Sequence, residues 1–190
     1  MYWKLVPQAA SSKDFVTFWS SQYSYKSGIE DYNINIAITP IVQLNIQKLF
    51  EWKNGSVLST KKQATLNKII EKLPTINSLK AEWDLAMFES EFNFLPSIWK
   101  IFLLHIIRPE EYPIFDMHVY RAYSFIINGK SDELANYNNP KKYILYKERY
   151  LPFYSSITEL SGCSLSDIDK ALWAYGKFIS LYRNMLHMNT

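Results

Sequence analysis

The sequence predicts an all-α fold, and three observations carry that prediction. Only five glycines and eight prolines interrupt 190 residues, and they fall between segments whose apolar residues recur at helical spacing. Most of those segments open at Ser, Thr, Asp or Asn, the residue types whose side chains satisfy the free N–H groups of a first helical turn. Nearly half the residues are apolar and 16% are aromatic, enough for a large core and too many for a disordered chain. The remaining segments leave little room for a sheet.

Ser11 or Ser12 caps a first helix carrying Phe15, Phe18 and Trp19. Tyr23 to Ile38, rich in Ser, Asn, Gly and Tyr, reads as a loop with a short extended piece at Ile34 to Ile38. Thr39-Pro40 reads as a start signal, a cap followed by proline at the first helical position. The helix after it presents Ile41, Leu44, Leu49 and Trp52 and ends at Asn54-Gly55. Ser59 or Thr60 caps a helix with Leu66, Ile69, Ile70 and Leu73 on one face, stopped by Pro74. Asn77 or Ser78 opens another, with Leu79, Trp83 and Ala86.

Pro96 starts a helix through Ile107 that is apolar on nearly every side, so it belongs in the middle of a domain. Arg108-Pro109 ends it, and Phe115-Asp116 opens the next helix, to about Ile127. Gly129 to Pro140 reads as a polar surface loop. A tyrosine-rich helix follows from Lys141, broken near Pro152. Ser164 or Ser166 caps a last amphipathic helix bearing Leu165, Ile168, Leu172, Tyr175, Ile179 and Tyr182. The expected total is seven to nine helices, and no fixed-period repeat suggests a solenoid. Most of Trp3, Trp19, Trp52, Trp83, Trp99 and Trp173 are expected in or at the edge of the core.

Composition also bounds function. A net charge of +3 is a weak pointer to an anionic partner, because binding nucleic acid depends on where basic residues cluster. Cys163, the only cysteine, can form no internal disulfide and completes neither a zinc site nor an iron–sulfur cluster. His105, Asp116 and His118 lack metal-ligand spacing, and His105 inside an apolar helix reads as a buried neutral histidine. There is no Gly-rich phosphate loop, nucleophile elbow or paired-carboxylate signature. Met1-Tyr2-Trp3-Lys4 lacks the pattern of a secretory signal, and the run from Ile101 to Ile107 is too short to span a bilayer. The expectation is a cytoplasmic protein without cofactor, metal or membrane partner.

Chemistry concentrates in Leu95-Pro96-Ser97-Ile98-Trp99-Lys100, the apolar helix, and Ile114-Phe115-Asp116-Met117-His118-Val119-Tyr120-Arg121. Asp116 falls at the first turn of a helix. A carboxylate there accepts backbone N–H bonds and can be an ordinary cap.

Asp-Met-His-Val-Tyr-Arg resembles the Asp-x-His-[Val/Ile]-[Phe/Tyr]-Arg string of the helix-hairpin-helix DNA glycosylase superfamily. In that family the string follows a Leu-Pro-Gly-Val-Gly hairpin and one buried helix. Here Leu95-Pro96-Ser97-Ile98-Trp99 holds the hairpin's place, and Arg108-Pro109-x-x-Tyr112-Pro113-Ile114 looks like the connection in remote members. The resemblance runs from Leu95 to Tyr123. It implies a two-lobed helical fold over residues 1–190 with a degenerate hairpin and an active-site cleft between the lobes. It also implies DNA as partner and removal of a damaged or modified base, with Asp116 as catalytic carboxylate. Ser97, Trp99, Lys100, His118 and Arg121 are the implied DNA contacts.

Two departures qualify the function. Ser97 and Trp99 replace the hairpin glycines that let backbone amides approach a phosphate. The family's Schiff-base lysine aligns with Ile101. Lys100 stands one residue early, a rotation of about 100° on a helix, which leaves it either a weak catalytic candidate or a surface or hairpin contact. Three readings stay open: a monofunctional glycosylase, a noncatalytic module that keeps the fold and binds DNA or protein, and an unrelated helical scaffold with a chance match.

Overall fold

The computed structural model describes residues 11–24 and 29–187, so the core role expected of Trp3 lies outside the described residues. Among the described residues there are eleven α-helices, one 3-10 turn and one π turn, and no strand. None of these helices is long and apolar enough to cross a membrane. The chain divides into two compact units. Tyr25–Pro109 forms the central unit, and Met1–Ser24 with Glu110–Thr190 forms the terminal unit.

The central unit opens with a helix where the sequence predicts a loop. Helix α2 spans Ile29–Ala37. Its Asn and Ile residues favour helix weakly on their own, but tertiary partners override that preference. Asn35 is buried and its Oδ1 accepts from Asn45 Nδ2 at 2.9 Å. Helix α3 is Gln43–Asn54, three residues later than the Thr39-Pro40 signal predicts. The Thr39–Pro40 peptide is cis, and Asn45 Oδ1 caps the helix by accepting from Val42 N–H at 3.0 Å. Leu44, expected on the core face, is 61% exposed. Gly55 closes α3 in the left-handed conformation at φ 67, as Asn54-Gly55 predicts.

Helix α4 is Thr60–Glu71 and α5 is Leu73–Ala81. Pro74 lies in the first turn of α5, where a missing N–H costs nothing, so it begins a helix as well as ending one. Asn77 is consequently not a cap. Its amide bonds both the N–H and the C=O of Ile41, at 2.7 and 2.8 Å. Asp84 caps α6, Leu85–Glu91, through Met87 N–H. Helix α7, Ser97–Ile107, is buried from Lys100 to Ile107, as its all-round apolar sequence requires. Phe50 of α3 packs its ring on Trp99 and Phe102 at 4.7 and 5.3 Å. His105, also buried, bonds the Tyr32 hydroxyl through Nε2.

In the terminal unit, α1 is Ser12–Ser21, with Ser11 Oγ accepting from Asp14 N–H. Trp19 is buried, but Phe18 is 47% exposed and lies off the core face. Helix α8 is Met117–Asn128, closed by Gly129. The following loop carries the 3-10 turn Leu134–Asn136 and buries Leu134, so it is less superficial than its polarity predicts. Helices α9, Asn139–Leu145, and α10, Leu151–Ser161, join through a π turn at Tyr146–Tyr150 just before Pro152. Helix α11, Leu165–His187, lies along both α8 and α1, and Ser164 Oγ accepts from Asp167 N–H in its first turn. Ile168, Leu172, Tyr175 and Ile179 line its buried face, while Tyr182 is exposed.

Candidate active site

Asp116 ends an extended segment whose neighbours hold it in place. Tyr146 donates its hydroxyl to Pro113 C=O at 3.0 Å. Phe115 is buried against the rings of Tyr150 and Tyr146, at 4.8 and 5.3 Å. Asp116 itself has the extended backbone of an N-cap, φ −151 and ψ −172. Its Oδ1 accepts from His118 N–H at 2.8 Å and from Val119 N–H at 3.0 Å. The two N–H donors hold the carboxylate in a fixed direction. The residue is half-buried.

The next turn of α8 is pinned from two sides. On one, α11 comes so close that a Cβ on Gly176 would lie 1.8 Å from His118 O. On the other, Arg121 makes a two-pronged ion pair with Glu133, Nε to Oε1 at 2.9 Å and Nη2 to Oε2 at 3.0 Å. Its Nη1 donates to His118 Nδ1 at 3.1 Å. A guanidinium has no acceptor, so Nδ1 must offer its lone pair and the imidazole proton sits on Nε2. The imidazole edge meets Trp173 of α11, centroids 5.1 Å apart.

A second acidic residue ties down the same loop. Tyr120 and Tyr137 both donate to Asp132 Oδ2 at 2.8 Å, and Asn136 Nδ2 donates to its Oδ1 at 2.8 Å. Partial burial pushes the Asp132 carboxyl up, but these bonds and the Glu133 N–H outweigh it and hold it below its ordinary value. Burial, then the hydrogen bonds with Tyr137 and Asp132, raises Tyr120 well above the usual phenol range. The Tyr150 hydroxyl is fully buried and makes no hydrogen bond. Burial first, then the negative charge of Asp169 and, among the smaller causes, that of Asp116, pushes it far up.

Of the residues the sequence nominates, the terminal unit brings together Asp116, His118 and Arg121, with Arg121 turned inward to Glu133 rather than toward solvent. Ser97, Trp99 and Lys100 belong to the central unit. There Ser97 is buried in the first turn of α7, and Trp99 packs on Phe50. Lys100 Nζ pairs with Glu89 Oε2 at 2.7 Å, its side chain only 10% exposed, and lies 5.7 Å over the Phe88 ring. Ile101 is fully buried. Among the described residues no group of three His, Cys, Asp or Glu side chains is arranged to hold a metal.

Sequence reasoning missed Glu133, Asp132, Trp173 and Gly176 as parts of this site. Gly176 had a legible signal, since a glycine inside a helix costs about 1 kcal/mol against alanine and marks a close approach. The two acids had none, because a polar loop does not declare its partners. No protein-family model matches the chain, and neither a curated protein nor a solved structure does.

Proposed function

We propose that the chain is a DNA base-excision glycosylase-like protein of the two-lobed helix-hairpin-helix kind, cleaving the N-glycosidic bond of a damaged or modified base with Asp116 as catalytic carboxylate. One observation carries the reading. The aspartate of the Asp-Met-His-Val-Tyr-Arg string stands at the N-cap of α8, half-buried, with its direction set by two backbone N–H groups. As the base leaves, the deoxyribose becomes oxocarbenium-like, and an oriented carboxylate stabilises that cation or activates the attacking water. The target nucleotide must first leave the stack. His118 reaches the carboxylate through its backbone N–H, and Arg121 acts as a positioning residue by holding the imidazole Nδ1.

The placement of the lysines supports a monofunctional enzyme. A Schiff base needs an amine free to attack the sugar carbon. Ile101 stands where relatives of this kind carry that lysine, and Lys100 is engaged with Glu89.

A second reading, a noncatalytic DNA- or protein-binding module, is favoured by the first turn of α7. Ser97 is buried and Trp99 is packed on Phe50, where the resemblance calls for glycines open to a phosphate. The test is incubation with duplexes each carrying one damaged or methylated base. The glycosylase reading expects abasic sites that break only after alkali, with no covalent complex trapped by borohydride. A borohydride-trapped complex lost in Lys100→Ala would refute the monofunctional assignment. Failure to release a base from any lesion would favour the noncatalytic module instead.

A further inference from the structure

Asp169, Trp173 and Lys177 follow one another at four-residue steps on α11, so they share one face of that helix. The face is distinct from the apolar one formed by Ile168, Leu172, Tyr175 and Ile179. Trp173 is half-buried rather than part of the core. The Gly176 contact draws this part of α11 against the first turn of α8. The Trp173 ring then meets His118 at 5.1 Å and Tyr23 at 5.2 Å, both near edge-on. The Lys177 ammonium stands 4.9 Å from the indole centroid. His118 touches Trp173 through its ring and Asp116 through its backbone N–H, so a single residue links indole and carboxylate.

A large aromatic ring off the core face, carrying a half-buried cation, is the combination that holds an unstacked strand. The ring takes a base or sugar face in a sequence-tolerant way, and the cation takes the phosphate next to it. An ammonium over an incompletely buried ring is held only weakly, so Lys177 can turn to a phosphate without large cost. The need for such a contact is specific here. The hairpin position that would clamp phosphate through glycines holds a buried Ser97 and a packed Trp99 instead.

We propose that Trp173 and Lys177 are the nucleic-acid grip of the terminal unit, the indole stacking on a nucleotide beside the reacting one and the ammonium binding its phosphate. The proposal rests on the reading of the chain as a DNA-acting protein and adds two contacts to it.

The experiment titrates the full chain against a fluorescein-labelled duplex carrying one tetrahydrofuran abasic analogue, by anisotropy at several salt concentrations. Lys177→Gln should weaken binding and reduce the slope of log affinity against log salt by about 0.9, the value of one phosphate contact. Lys177→Arg should restore that slope. Trp173→Ala should weaken binding by about 5- to 150-fold with the slope unchanged. Urea midpoints check folding, and if Trp173→Ala does not fold, Trp173→Phe and the Lys177 variants decide the matter. Tight, salt-sensitive binding by the wild type that neither Trp173 nor Lys177 substitutions alter overturns the grip and leaves the glycosylase reading standing. Absence of wild-type binding at every salt concentration overturns both.

Discussion

Replacing Gly176 by alanine tests the packing that aims the candidate carboxylate. On an open helix surface the change would stabilise by about 1 kcal/mol, because alanine is the better helix former. Here the new Cβ would lie 1.8 Å from His118 O, 2.5 Å from its carbonyl carbon and 3.0 Å from its Cα. All three are backbone atoms, so no side chain can swing aside. Reaching an ordinary contact of 3.4 Å requires α8 and α11 to part by about 1.6 Å at this point. Overpacking of this type costs about 1–3 kcal/mol and more where backbone must move. Set against the propensity gain, a net loss of about 2 kcal/mol follows, or about 4–8 °C in Tm for a chain of this size. Urea unfolding followed by tryptophan fluorescence measures it, with the m-value checked for constancy. Because His118 and Asp116 would shift with α8, any base release should fall as well. A variant as stable as the wild type, or more so, would refute the close approach of the two helices.

Three further substitutions probe the surroundings of the site. Glu133→Ala leaves the Arg121 guanidinium, only 8% exposed, without its carboxylate, and should cost about 3 kcal/mol in urea unfolding; a loss under about 0.5 kcal/mol would show the ion pair to be unimportant. Asp132 has a folded-state pKa below its ordinary value of 3.8, so its contribution is complete above that pH and is lost as pH falls through the lower folded value. Asp132→Asn should therefore reduce stability at neutral pH and flatten the acid limb of the stability curve, and an unchanged limb would contradict the assignment. Tyr150→Phe removes a buried hydroxyl that makes no hydrogen bond while keeping the ring against Phe115, so the urea midpoint should hold or rise. A drop of more than about 1 kcal/mol would mean that the hydroxyl has a structural role.

Helices α7 and α8 are legible because strong local signals agree with the packing within each unit. Pro96 and an apolar run define α7, and Asp116 before an amphipathic stretch defines α8. Where local preference and tertiary contacts conflict, the sequence misleads. Ile34 to Ile38 alternates like a strand, yet Asn35 is drawn into a helix by Asn45. Pro74 reads as a stop, but a proline in the first helical turn is equally a start, and only the Asn77–Ile41 bonds reveal which. The candidate carboxylate is visible in the string that contains it. Of its supports only Gly176 leaves a sign, as a glycine inside a helix; Glu133 and Trp173 reach α8 through tertiary packing that leaves no local periodicity.

The most direct test of Asp116 as the catalytic carboxylate compares wild type with Asp116→Asn in single-turnover base release from a duplex that the wild type processes. Asparagine caps a helix about as well as aspartate, so folding and DNA affinity should change little. The charge that stabilises the oxocarbenium-like transition state is gone. Base release should therefore fall below detection while the variant still binds the duplex. Release at the wild-type rate by a folded Asp116→Asn protein would contradict a catalytic role for this carboxylate.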